Sequence, residues 1–209
     1  MIALLIKDFH VLLKQLGILL LITFAIFCFS DVSVVGFPLF YVAMMPITAL
    51  AYDERSHWDE LANMMPYSVN QLVGSKYLLG LIHILGIAAL SILAQLVRFY
   101  TGIGHFILDE STAVYDILFY VLIIACLALL MTAILLPFLY RFGTEKGRLI
   151  FLILLAALVL FGYNMADKIM ALPDSGSPVV MLAVLSAVTA LALLVSWRLS
   201  VRFYRVRRG

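Results

Sequence analysis

The sequence predicts an all-α integral membrane protein of six transmembrane helices, with an N-terminal amphipathic interface helix and a short helix on the cytoplasmic side. Three observations carry that prediction. Of 209 residues, 65% are hydrophobic and 12% charged, where a soluble domain holds roughly 45–50% apolar and about 25% charged residues. Six charge-free runs approach the roughly 20 residues that a helix needs to cross about 30 Å of hydrocarbon. The runs are continuously apolar and rich in Leu, Ala, Ile and Met, without the alternation of a lipid-facing β-strand. The whole chain, 1–209, reads as one transmembrane domain.

Residues 2–15 form the first expected element. Ile2, Leu5, Ile6, Phe9, Leu12, Leu13 and Leu16 recur at steps of three and four, with Lys7, Asp8, Lys14 and Gln15 opposite. Such a helix lies along the inner membrane surface before the chain turns into the first span. Spans follow at about 16–31, 33–52, 76–98, 115–139, 148–166 and 177–198, with a basic tail at 199–209. The first run ends at Ser30-Asp31 without the small-residue cleavage pattern of a signal peptide. Cys28 and Cys126 both fall inside apolar runs, where a thiol behaves as a small hydrophobe, and no disulfide is expected.

Charge fixes the expected orientation. With the N-terminus inside, Lys7, Lys14, Arg55, Lys76, Arg141, Lys146, Arg148 and the five arginines from Arg198 to Arg208 share one side, against Arg98 and Lys168 on the other. Positive residues accumulate on the cytoplasmic side of short loops, so both termini are expected there. Asp31, Asp109, Glu110, Asp116, Asp167 and Asp174 fall mostly toward the outer side. The alternating basic and apolar residues of the tail suit anionic lipid head groups. Nucleic-acid binding requires a broader basic surface.

Within the second span, Pro38 and Pro46 each remove a backbone donor, and a bend is expected there, with both prolines as hinge candidates. The loop at 53–75 carries two helix starts. Ser56 followed by Asp59 is a variant capping box that opens a short helix with Trp58, Leu61, Met64 and Met65 on one side, ended by Pro66. Ser68 followed by Gln71 starts the helix that becomes the third span. Asp53-Glu54 and Asp59-Glu60 read as acids favoured at a helix start.

Little in the chain supports chemistry of its own. His83, Gln95 and Asn164 are isolated polar residues within spans, and a lone His there is expected to bond a neighbouring helix. Ser91, Thr132, Ser186 and Thr189 can bond their own helix backbone. No phosphate-cradling glycine loop is present, since Gly143-Thr-Glu-Lys-Gly147 has the wrong spacing. No catalytic residue, cofactor or metal ligand is expected on this chain.

The stretch Tyr52-Asp-Glu-Arg-Ser-His-Trp-Asp59, then Met65-Pro-Tyr-Ser68, Gln71-Leu-Val-Gly-Ser-Lys-Tyr77, and Leu136-Pro-Phe-Leu-Tyr-Arg-Phe-Gly-Thr-Glu-Lys-Gly-Arg148 resemble the ABC-2 type permease family, in particular its short six-span bacterial members such as the phenol-soluble modulin and bacteriocin exporters. The resemblance implies a multi-pass permease of the bacterial plasma membrane, working as a homodimer or heterodimer above two copies of an ABC ATPase that hold the ATP and Mg. It implies that the helix after residue 53 is a coupling helix, with Arg55, His57, Trp58, Asp59, Glu60 and Leu61 as ATPase contacts. Arg141, Glu145, Lys146 and Arg148 would form a second contact. The cargo it implies is an amphipathic peptide or another hydrophobic molecule. Two other classes compete: a secondary carrier or channel, which calls for acids along a path in the membrane, and a membrane adaptor or sensor.

Overall fold

The computed structural model describes residues 2–29, 36–101, 113–170 and 178–208, and among these every regular element is an α-helix. The helices are α1 (Ile2–Phe29), α2 (Gly36–Val42), α3 (Met45–Arg55), α4 (Trp58–Met64), α5 (Val69–Thr101), α6 (Ala113–Phe142), α7 (Thr144–Met170) and α8 (Pro178–Arg208). Helices α5 and α6 form the centre: α6 packs along α8, α5 and α7, while α1, α2 and α3 lie against α5. Leu39, Met45, Ile47, Leu79, Ile117 and Leu136 fill the core between them. Among the described residues, three segments are long and apolar enough to cross a membrane: Val69–Val97, Ile117–Phe142 and Val179–Val206. Much of their apolar surface points outward, α8 above all, with Val184, Leu191 and Val195 more than half exposed. That outward grease matches a hydrocarbon surround rather than water.

Helix α1 departs from the expected interface helix in two ways. It runs unbroken from Ile2 to Phe29, so there is no turn between an element at 2–15 and a span at 16–31. Asp8, expected on the outward polar side, is moreover buried beside Leu4 and Leu12, whereas Ile2, Ile6 and Phe9 are exposed. Asp8 turns inward because it meets a buried cation there, described below.

The second span is broken, as its prolines predict. Val42 ends α2 and Met45 begins α3. Pro46, in the first turn of α3, has no N–H to give the Val42 carbonyl. The Met44 amide instead bonds back to Tyr41 at 3.0 Å, and the Thr48 amide and hydroxyl both take the Met44 carbonyl, at 3.0 and 3.2 Å. Pro38 lies in the first turn of α2, where a missing donor costs nothing. Gly80 of α5 makes the break fit: a β-carbon there would come within 3.0 Å of the Pro46 ring and 3.3 Å of Thr132. Three helices therefore close on a position without a side chain.

Ser68 and Gln71 form the reciprocal capping box at the start of α5, the Gln71 amide donating to Ser68 Oγ at 3.3 Å and the Ser68 amide to Gln71 Oε1 at 3.2 Å. Between α6 and α7 the chain needs one residue, Gly143, in the left-handed region at φ 86°. Tyr77 of α5 shares its hydroxyl with Ser196 and Ser200 of α8 at 2.5 and 2.7 Å, and Ser196 donates to the Ala133 carbonyl of α6. Ser91, Thr132, Ser186 and Thr189 bond their own helices as expected. His83 does likewise, giving Leu79 O a contact of 2.7 Å from Nδ1, rather than reaching a neighbouring helix, and its ring stacks on Phe9. Helix α8 continues through the expected basic tail to Arg208. Asp31, Asp109, Glu110 and Asp174 lie outside the described residues, as do the side chains of Cys28, Asp116, Asn164, Asp167 and Lys168.

Candidate functional site

The site is assembled where α3, α4 and the α6–α7 corner meet. Helix α3 ends at Arg55, and the chain reverses through His57 in a left-handed conformation, φ 50°, before α4. The expected Ser56–Asp59 capping box is not formed. No side chain caps α4, and the Ser56 hydroxyl turns back to the Tyr52 carbonyl at 2.8 Å. With His57 forced to positive φ, Ser56 stands two residues ahead of α4, too far back to cap it. Met65 is extended, as the residue before a proline should be, and so α4 stops at Met64.

Helix α4 lies with Trp58 and Ala62 inward, packed with Leu4, Leu72, Tyr67 and Tyr204. Trp58 is thus half-buried by this packing. Leu61, 48% exposed, and Met64, 85% exposed, face out instead, in line with His57 and Glu60 at steps of three and four. His57 Nδ1 lies 3.5 Å from Glu60 Oε1. The side chain of Asp59 is outside the described residues.

Beneath α4 lies a cluster of charges that the sequence pattern does not bring together. Lys7 and Asp8 of α1, Asp53 of α3 and Lys76 of α5 close a ring of alternating charge: Lys7 is 3.1 Å from Asp8 and 2.5 Å from Asp53, and Lys76 is 2.7 Å from Asp8 and 2.6 Å from Asp53. The Asp8 and Lys76 side chains are 2% and 5% exposed. Two cations and two anions balance, and each charge meets both opposite partners. Lys7 also lies over the Trp58 ring, 4.2 Å from its centroid, tying α4 to the ring. A cavity of about 40 Å³ adjoins these residues, bounded also by Tyr140 and Thr144.

Asp53 and Glu54 belong to the last turn of α3 and not to a helix start. Glu54 nonetheless serves a helix start, that of α7: its carboxylate accepts from the Thr144 hydroxyl at 2.5 Å and the Thr144 amide at 3.4 Å. The two expected contact segments are joined there. His57 and Glu60 face Glu145 and Lys146 across an open groove of about 380 Å³. Arg55 and Arg148 line a second cleft of about 360 Å³ on the other side, with Tyr41, Met44 and Tyr52. Arg141 is separate: its guanidinium lies over the Phe142 and Phe203 rings, toward α8.

A family model described as ABC-2 family transporter protein matches residues 3–205. The chain belongs to the ABC-2 family of transporter proteins. No curated protein and no solved structure matches it. Membership makes this ABC-2 chain a multi-pass membrane protein of the kind that supplies the non-catalytic membrane subunit of an ABC transporter, and it implies an ABC ATPase as partner.

The Glu54–Thr144 contact yields a prediction for this ABC-2 protein. A carboxylate at a helix N-terminus offsets the unpaired amides and the dipole, contributing about 1–2 kcal/mol. Glu54→Ala is expected to leave the helical content intact while speeding amide exchange in the first turn of α7, and unchanged exchange at residues 144–147 would show that the carboxylate does not cap that helix.

Proposed function

We propose that the chain is the permease subunit of an ATP-driven exporter, acting as a dimer above two ATPase subunits, with α4 as its coupling helix and both termini in the cytoplasm. The ATPase holds the ATP and Mg, and the cargo is an amphipathic peptide or a similar hydrophobic molecule. One observation carries the reading. Helix α4 is held from beneath by Trp58, Ala62 and the ionic ring, and presents a separate outward face of His57, Glu60, Leu61 and Met64. A helix fastened on one side and free on the other passes a push from a partner directly into α1, α3 and α5.

Glu145 and Lys146 extend that face across the groove, and Arg55 with Arg148 forms its other border. The cargo reading rests on the resemblance to peptide exporters and on the continuous apolar exterior. Leu61 and Met64 supply the desolvated anchors that dominate contact energies, while the charged border adds steering that fades with salt.

Two experiments in membranes with the partner ATPase test this. Leu61→Asp combined with Met64→Asp is expected to weaken co-purification of the ATPase at least tenfold, equivalent to about 1.4 kcal/mol or more, with the permease still inserted. Trp58→Ala is expected to lower the thermal stability of the permease itself. Full ATPase binding by the double variant would remove α4 as the docking helix.

The break at Ala43-Met44 gives α3 its own axis, and in this reading α3 swings with α4 while α2 stays in place. Pro46→Ala restores the missing donor for the Val42 carbonyl and is expected to reduce cargo-stimulated ATP hydrolysis severalfold. Unchanged stimulation would mean that the break is fixed geometry and not a hinge.

A further inference from the structure

Helices α6 and α8 leave between them an open apolar groove of about 640 Å³ on the outer surface of the protein, walled by residues such as Ile134, Pro137, Ala192, Val195 and Leu199. Both helices are among the segments fit to cross a membrane. Along α8 the walls run from Val188 to Phe203, about 22 Å at 1.5 Å per residue. That exceeds the roughly 15 Å depth of one hydrocarbon leaflet, so an extended acyl chain fits along it.

One end of the groove is cationic. Arg141 lines it, exposed, its guanidinium 5.2 Å from the Phe142 ring centroid and 5.4 Å from that of Phe203. Stacking on two rings fixes the planar donor fork at the groove mouth, and among the described residues Arg141 makes no ion pair. Arg202 follows Leu199 by three residues and so lies on the same face of α8, one turn beyond, also exposed. An apolar trough in the bilayer that ends at two arginines is complementary to one kind of molecule: an amphiphile with a long acyl chain and an anionic phosphate.

We propose that the groove between α6 and α8 is a binding site for an anionic phospholipid of the surrounding bilayer, its acyl chain along Ala192 and Val195 and its phosphate on Arg141. The guanidinium bonds the phosphate of any such lipid, and the preference for a net negative head group arises because Arg141 and Arg202 repel the quaternary ammonium that a zwitterionic lipid adds. The proposal rests on the membrane placement of α6 and α8 and not on ATPase docking, so the failure of either reading leaves the other standing.

The test uses the full chain in detergent, incubated with equal amounts of phosphatidylglycerol and phosphatidylcholine of identical acyl chains, with bound lipid counted by native mass spectrometry. Phosphatidylglycerol is expected to be retained about tenfold over phosphatidylcholine, equivalent to about 1.4 kcal/mol. Arg141→Gln should abolish the preference, Arg141→Lys should keep part of it, and Ala192→Phe, which fills the trough, should reduce retention of both lipids. Equal retention of the two lipids, or an undiminished preference in Arg141→Gln, would overturn the site. So would a dimer that excludes lipid and that Ala192→Phe splits, since a second copy would then own the groove.

Discussion

Four charges closed into a ring hold α1, α3 and α5 of this protein together. Lys7 and Asp8 come from α1, Asp53 from the end of α3 and Lys76 from the start of α5, each bonded to two neighbours of opposite sign. Stripping water from such groups costs several kcal/mol per ion, and their attraction offsets that only when every charge is met. The arrangement leaves little choice of register: rotating α1 to bury Ile2, Ile6 and Phe9 would separate Asp8 from Lys76. The ring therefore dictates that α1 turns Asp8 inward with Leu4 and Leu12, and Trp58 resting on Lys7 places α4 on the same platform.

From that platform the working parts follow. Asp53 belongs to the ring while its neighbour Glu54 caps α7. Two adjacent carboxylates on the last turn of α3 thus bind opposite sides of the structure. Helix α4 is thereby joined to α1, α3 and α5 through the ring, and α3 to α7 through Glu54. The proline break above α3 and the bare Gly80 beside it allow that segment an axis of its own within a tightly packed centre. The coupling proposed for α4 needs a contiguous set of packed and bonded groups, and these form one.

Much of this was legible in the residues. Charge-free runs gave the helices, Pro46 the break, and Ser68 with Gln71 the start of α5, because each is a local signal with a single backbone consequence. The faces were less legible. Asp8 reads as solvent-facing when set beside Lys7, yet Leu4, Leu5 and Leu12 stand three or four residues away on its own side. Lys76 is flanked in the same way by Leu72, Val73 and Leu79. A charge centred on an apolar stripe signals a buried partner, and only the tertiary structure reveals which one. Periodicity gives α4 two sides without saying which is covered: Trp58, Leu61 and Met64 read as one side, yet Trp58 packs inward while Leu61 and Met64 face out. Ser56 failed as a cap because the left-handed turn at His57 arises from the path between two helices, which no local pattern records.

A double-mutant cycle on the pair joining α1 to α5 tests the ring most directly, read as the thermal stability of the full chain in detergent. Lys76→Met alone leaves the Asp8 and Asp53 carboxylates sharing the single cation of Lys7, and about 3–5 kcal/mol of stability is expected to be lost. Adding Asp8→Leu leaves Lys7 and Asp53 as a complete pair and should restore most of that loss. If the two substitutions add instead, or if Lys76→Met costs nothing, the four charges do not act as a unit and the account of how α4 is held fails with them.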